Sequence, residues 1–263
     1  MNNPKRLFPI VNGLALILTI AVNYLSNAGF LNGETMKTIS DRYFNHFTPA
    51  GFTFSIWGLI YLGLFGFVIF TSTNPVNDKF KEGILTKVGW WFVVSCLANS
   101  LWVVAWLSDY TGVSVLIMTV LLFSLLKIVI NTRMELDAHP LKHYLFVFWP
   151  FALYSGWVSV ALIANVSAYL TKVGWNGLGL SSLTWAIVMV CVAGMVNVFM
   201  IYTRNLREFA AVGVWALFGI SVSNKNNDGG EIVTYACYTI MSVILVCIIL
   251  HGLKNKSKSI HNM

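Results

Sequence analysis

Aromatic and amide side chains recur at helical spacing in three apolar stretches, and their types suit the binding of a ligand. Trp57 and Tyr61 lie at i and i+4 in the stretch 51–71, and the stretches 88–107 and 144–166 show the same kind of face. Indole and phenol rings can stack on a flat apolar molecule, and amides can hydrogen-bond to its polar edge. The spacing therefore predicts a pocket for a planar hydrophobic ligand. Its candidate residues are Trp57, Tyr61, Asn99, Trp102, Tyr154, Trp157, Ala161 and Asn165.

Long apolar runs must position these side chains, and they indicate a membrane protein. Of the 263 residues, 57% are hydrophobic and only 10% are charged, and the mean hydropathy is +0.72. A helix of about 20 apolar residues crosses the hydrocarbon layer of a bilayer. The pattern predicts an all-α, polytopic membrane helix bundle of about eight transmembrane helices. The predicted spans are 7–25, 51–71, 88–107, 112–132, 144–166, 180–202, 208–223 and 232–251, of which 208–223 is the shortest.

The basic residues predict the orientation of the bundle. With eight spans, all 17 Lys and Arg residues except Lys37, Arg42, Lys172 and Lys225 lie on the side that holds both termini. Because cytoplasmic loops are enriched in Lys and Arg, both termini are predicted to be cytoplasmic. A seven-span chain without 208–223 would place the Lys-rich tail outside. The same loop positions explain the net charge of +7 without a nucleic-acid partner, and we expect a multi-pass protein of a bacterial inner membrane in contact with the lipid bilayer.

The first apolar run admits a second interpretation, a signal peptide cleaved near Ser26-Asn27-Ala28. The run 7–25 is long for the apolar core of a signal peptide, so a retained span is favoured. The segment 27–50 is predicted to be a polar loop, and the segment with Lys79, Lys81 and Lys87 a basic loop.

Several classes of function are disfavoured by what the spans contain. Asp and Glu occur only in loops or at helix ends, such as Glu208 at the start of 208–223, although ion-coupled transporters commonly carry carboxylates well within their spans. No Ser–His–Asp order, metal-binding cluster or phosphate-binding loop occurs in the predicted spans. Enzymatic activity therefore stays open but is disfavoured. No cofactor is expected to be required. His46, in the loop 27–50, is a candidate haem ligand, although a lone loop histidine is more often solvated.

The aromatic and amide residues also have a purely structural interpretation. Tryptophan is enriched at membrane interfaces, and Trp90, Trp91, Trp149 and Trp175 are interpreted as such interface residues. Intramembrane asparagines can hydrogen-bond between helices without touching a ligand. The argument for a pocket is that these side chains share a depth in the membrane. Trp57, Trp185 and the aromatic faces of 88–107 and 144–166 are all predicted to lie at similar depths under the loop 27–50.

Three motifs resemble the TspO/MBR family, the tryptophan-rich sensory proteins related to the mitochondrial translocator protein. The segment 48–61 resembles the Pro-Gly-Trp signature of its second helix, and the segment 97–102 resembles the Asn-Trp motif of its third. Tyr154, Trp157, Ala161 and Asn165 fit the motif of its fifth. The chain departs from the pattern where Thr48, Phe52, Val103, Val104 and Leu153 stand in place of Pro or Trp.

The resemblance implies a five-helix membrane domain over 1–170 with a pocket under its first loop. It implies a binding protein, sensor or transporter for a porphyrin or other tetrapyrrole, or a sterol-like ligand, and a possible homodimer. The segment 171–263 is predicted to be an additional three-helix membrane segment with a basic tail, which could cover the dimer interface. Two alternatives stay open: a scaffold that docks a partner membrane protein through these helices, and a porphyrin-degrading enzyme that uses Trp57 and Trp157.

Overall fold

The computed structural model describes residues 4–73 and 78–261, and the side chains of 7–73 and 78–255. The described chain is α-helical and contains no β-strand, which confirms the predicted fold class. The helices are α1 (Pro4–Asn27), α2 (Met36–Arg42), α3 (Ile56–Ser72), α4 (Lys79–Val88), α5 (Trp91–Leu107), α6 (Thr111–Asn131), α7 (Leu141–His143), α8 (Trp149–Lys172), α9 (Ser182–Arg204), α10 (Arg207–Asn224) and α11 (Gly230–His261). Single 3₁₀ turns cover Gly51–Ser55 and Gly177–Gly179, and a π-helical turn covers Tyr144–Phe148.

The helices make a multi-pass membrane protein. Six described segments are long and apolar enough to cross a membrane: Leu7–Asn27, Gly51–Ser72, Thr111–Asn131, Leu141–Lys172, Ser182–Arg204 and Gly230–Asn255. The helices α4 and α5 together make a seventh if this pair, bent by 49°, counts as one span. Helix α10 forms at the predicted run 208–223 but does not belong to that set. The count of eight spans and the side on which the termini lie therefore stay predictions.

Surface labelling can test this topology. We expect Lys225→Cys to react with a membrane-impermeant maleimide on intact cells, because eight spans place Lys225 outside. Lys254→Cys should react only after permeabilisation. Both side chains are exposed, and the parent with its natural cysteines gives the background. Reaction of both variants from the same side would contradict the eight-span chain.

The segment predicted as a basic loop is instead largely helix α4. The Asp78 side chain accepts hydrogen bonds from the backbone N–H groups of Phe80 (3.0 Å) and Lys81 (3.3 Å), which caps the start of α4. Ile84 and Val88, four residues apart, are buried beneath its basic face. The sequence pattern was therefore amphipathic rather than loop-like. The predicted loop 27–50 likewise contains the short helix α2.

The last three helices join the rest of the molecule mainly through α10, with further contacts between α8 and α9. Helix α10 lies against α8 and against the turn Gly51–Ser55, while α9 and α11 pack on its other sides. The approach is close at two glycines: a Cβ added to Gly156 would lie 2.7 Å from the Phe209 carbonyl oxygen, and one added to Gly219 would lie 2.1 Å from Thr53 Oγ1. Backbones can approach this closely because glycine has no side chain. The division at residue 170 was a sequence prediction, and α10 packs across it.

Replacing Gly219 by alanine should destabilise the protein. The added methyl group would overlap Thr53, and overpacking of this kind costs about 1–3 kcal/mol. Gly58→Ala in α3 is the matched control, because its Cβ would have no neighbour within 4 Å. The thermal midpoint in detergent should fall for Gly219→Ala and stay the same or rise for Gly58→Ala. Equal midpoints for the two variants would show that α10 is not tightly docked.

Candidate functional site

A cavity lined by indole rings lies under the segment 47–49. Its walls come from α3, α5, α8 and α10. The lining residues are Ser40, Phe47, Thr48, Pro49, Phe54, Trp57, Trp102, Trp106, Trp157, Val160, Ala161, Ala164, Asn165, Ala168, Ala216 and Ile220. Its free volume is only about 40 Å³, which is room for one or a few water molecules. The rings themselves fill most of the space between the helices.

Trp57 lies at the centre of the aromatic cluster. Its ring stacks on Tyr61 (centroids 5.5 Å apart, planes at 19°) and meets Tyr154 edge-on at 5.7 Å. The rings of Trp102 and Trp157 are each 6.2 Å from it, the first tilted and the second nearly perpendicular. These separations are typical of favourable aromatic pairs. The cluster therefore holds Trp57 in place by ring contacts on several sides.

The four indole N–H groups of the cavity fall into two classes. Trp102 Nε1 donates to Asn165 Oδ1 (3.0 Å), and Trp106 Nε1 donates to the Met36 carbonyl oxygen (3.3 Å). The Nε1 atoms of Trp57 and Trp157 are buried and have no hydrogen-bond partner among the described residues. Buried N–H groups normally find an acceptor, and leaving one without a partner costs about 1–3 kcal/mol. These two donors are available to an acceptor on a bound molecule.

A hydrogen-bond network behind the rings fixes the helices that carry them. Asn99 Oδ1 accepts from Asn23 Nδ2 (2.7 Å), and Asn99 Nδ2 donates to the Tyr154 hydroxyl (3.0 Å). Asn23 also donates to the Thr19 carbonyl oxygen (2.9 Å). The network joins α1, α5 and α8 in the apolar interior. Asn99 therefore positions helices and holds the Tyr154 ring in contact with Trp57.

Asn165 makes a second link, between α5, α6 and α8. Its Oδ1 accepts the Trp102 indole N–H, and its Nδ2 lies 2.9 Å from Ser114 Oγ. This fixes the plane of the Trp102 ring, which stacks on Trp106 with centroids 6.4 Å apart. Asn165 thus both lines the cavity and orients one of its rings.

The eight predicted residues divide into two groups. Those on the cavity wall are Trp57, Trp102, Trp157, Ala161 and Asn165. Tyr61, Asn99 and Tyr154 do not line it and lie behind the rings. Trp185, expected at the same level, lies elsewhere, against Trp175.

Sequence reasoning missed the wall that α10 provides. Ala216 and Ile220 lie on the cavity. Hydrogen bonds from Ala50 N to the Gly219 carbonyl oxygen (3.0 Å) and from Trp215 Nε1 to the Thr53 carbonyl oxygen (3.1 Å) hold this helix there. Phe54 could have been found, because it precedes Trp57 by three residues on the same helical face. Ala216 and Ile220 carry no chemical signal of their own.

An ion pair closes the end of the bundle near the cavity. Lys172 Nζ lies 3.0 Å from Asp109 Oδ2, which also accepts from the Tyr43 hydroxyl at 2.9 Å. Burial alone would raise the pKa of the Asp109 carboxyl, but the hydrogen bonds from Lys172 and Tyr43 outweigh it and lower this pKa. The pair ties the loop between α5 and α6 to α8 and to the segment after α2.

Together these features define an all-α, multi-pass membrane protein with an aromatic cavity between its helices. Over residues 9–250 the chain matches the family described as TSPO-like protein, and it belongs to this family. The match continues through α9, α10 and most of α11 and does not stop at residue 170. The proposed division into a five-helix domain and an added segment thus stays a prediction. Comparison with curated proteins and with solved structures gives no significant match.

Proposed function

We propose that the cavity binds a planar hydrophobic molecule that carries a hydrogen-bond acceptor, and that the protein acts as a sensor or transporter for it. A porphyrin or other tetrapyrrole with carboxylate groups fits this description, and so does a sterol-like molecule with a hydroxyl or carbonyl group. The observation that carries the proposal is the pair of buried, unpartnered N–H groups of Trp57 and Trp157 on a mostly apolar wall. A hydrogen-bond acceptor on the ligand would give both N–H groups the partner that they lack.

The free volume requires the walls to separate when a ligand enters. About 40 Å³ does not hold a macrocycle. The walls come from separate segments, since 47–49 and α10 meet the indole rings of α3, α5 and α8. Membership of the TSPO-like family supports a binding or transport role in a membrane. We further propose a bacterial inner membrane with both termini in the cytoplasm, and homodimerisation as a possible state.

Titration of the purified protein with protoporphyrin tests the proposal. Tryptophan fluorescence should be quenched saturably, with one ligand bound for each chain, because the macrocycle would lie against Trp57 and Trp157. Competition by a sterol would show that the same cavity accepts that second class. Quenching that rises linearly without saturation, together with no effect of sterol, would overturn the proposal. Protein subunits that co-purify in fixed ratio would instead favour a scaffold.

A further inference from the structure

A second and larger cavity lies outside the aromatic cluster, between the segment 45–47, the end of α8 and the start of α9. Its volume is about 370 Å³, within the range of small-molecule sites. Aliphatic and aromatic side chains supply most of its wall, and six polar residues also line it. The lining residues are Asn45, His46, Phe47, Val166, Ser167, Leu170, Thr171, Trp175, Asn176, Gly177, Leu180, Ser182, Trp185, Ala186 and Met189.

Two tryptophans form one wall of this second cavity. The rings of Trp175 and Trp185 lie with centroids 5.0 Å apart and planes at 54°. Trp185 Nε1 donates to the Gly177 carbonyl oxygen at 2.6 Å, which fixes its ring. Gly177 has φ +67°, and a Cβ there would lie 3.1 Å from the Trp185 ring, so the turn and the ring fit closely. Trp175, interpreted from the sequence as an interface residue, is 38% exposed and lies on this wall.

His46 presents a hydrogen-bond acceptor at the same cavity. Asn224 Nδ2 donates to the carbonyl oxygens of His46 (2.8 Å) and Ile220 (2.9 Å), so its side-chain oxygen must face the histidine ring. His46 Nδ1 lies 2.7 Å from that oxygen. Because an oxygen can only accept, Nδ1 carries the proton. In the neutral ring Nε2 then keeps its lone pair, and the hydrogen bond of the ring to a described residue runs through Nδ1.

From these observations we infer that the second cavity binds a planar aromatic molecule bearing an N–H or O–H group, which packs against the wall formed by Trp175 and Trp185 and donates to His46 Nε2. The inference is independent of the proposed function, because the two cavities share only Phe47 among their lining residues. Asn224 acts here as a positioning residue, since it holds the histidine in the tautomer that accepts. The indole rings supply apolar contact area, and the histidine selects ligands that carry a hydrogen-bond donor.

Carbazole and dibenzofuran make a matched pair of probes. They have nearly the same shape, and the N–H of carbazole is replaced by an oxygen in dibenzofuran. Carbazole binding can be followed by energy transfer from tryptophan, and dibenzofuran by its displacement of carbazole. A neutral hydrogen bond contributes about 0.5–1.5 kcal/mol, so the parent should prefer carbazole roughly 2- to 12-fold.

The variants then assign the site. His46→Phe keeps a ring and removes the acceptor, so the preference for carbazole should fall to about one. Trp175→Ala should weaken both probes several-fold while the preference persists. Trp157→Ala, which alters the first cavity, should leave carbazole binding intact. Circular dichroism checks that each variant is folded.

Three outcomes would overturn the inference. The first is equal binding of the two probes to the parent, as expected if the cavity takes only an acyl chain. The second is an unchanged preference in His46→Phe. The third is loss of carbazole binding in Trp157→Ala, which would place the probe in the first cavity. None of these outcomes bears on protoporphyrin binding, so the proposed function can fail or hold separately.

Discussion

Replacing Trp157 by alanine is expected to weaken protoporphyrin binding roughly 30- to 1,000-fold. Stacking on an indole contributes about 0.5–1.5 kcal/mol beyond the buried area. Truncation also removes apolar contact area, at about 25 cal/mol for each Å². Together these terms amount to a loss of about 2–4 kcal/mol. The unpartnered N–H of Trp157 would be lost as well. Quenching of the remaining tryptophans in a protoporphyrin titration measures the change.

Trp90→Ala is the matched control for that experiment. Trp90 is 54% exposed and makes its ring contact with Phe8, with centroids 5.6 Å apart, away from the cavity. Its removal should leave the affinity within a few-fold of the parent. Circular dichroism and the thermal midpoint would show that both variants retain the fold. If Trp157→Ala binds protoporphyrin as tightly as Trp90→Ala, the rings serve only to pack the helices.

A second large effect is expected from Glu135, in the loop after α6. Its side chain is only 7% exposed, and its Oε1 atom has no hydrogen-bond partner among the described residues. Burial, and then the nearby negative charge of Glu208, raise the pKa of this carboxyl to about 8, which the charge of Arg207 offsets only in part. The folded protein therefore keeps the Glu135 proton at a pH where the unfolded chain has released it.

The sign of the pH dependence follows from that difference. Between the unfolded pKa of 4.5 and the folded value of about 8 the native state binds more protons, so the free energy of unfolding falls as the pH rises. One such proton contributes at most about 1.4 kcal/mol per pH unit. Below pH 4.5 this contribution is fully present, and above pH 8 it is lost.

Thermal unfolding in detergent from pH 5 to pH 8 measures this effect. The thermal midpoint of the parent should fall as the pH rises. The midpoint of Glu135→Gln, whose side chain stays neutral, should change less with pH and should be higher than that of the parent at pH 8. Asp137→Asn is the control in the same loop, because this carboxyl is exposed and its pKa is lowered by hydrogen bonding to Arg133. Parallel pH profiles for the parent and Glu135→Gln would rule out Glu135 as the titrating group.

The sequence alone determined the long apolar helices and the residues on their faces, although it missed the short helix α2 and the amphipathic helix α4. Hydropathy and length decide whether a segment can cross a bilayer, and both are properties of the segment itself. A period of 3.6 residues likewise places Asn99 with Trp102, and Tyr154 with Trp157, on one side of a helix. These two helix faces do meet in the structure, through the Asn99–Tyr154 hydrogen bond, and Trp102 and Trp157 both contact Trp57. The family match over residues 9–250 likewise rests on the sequence alone.

Only the tertiary structure decided which helix faces which. Ala216 and Ile220 line the first cavity because Gly219 lets α10 approach Thr53, and nothing in the composition of α10 marks them as cavity-facing. Trp185 has the same residue type and predicted depth as the cavity tryptophans, yet it packs against Trp175. Periodicity specifies the face of a helix but not its neighbour. The neighbour depends on close approaches and hydrogen bonds between segments far apart in the chain, such as His46 with Asn224.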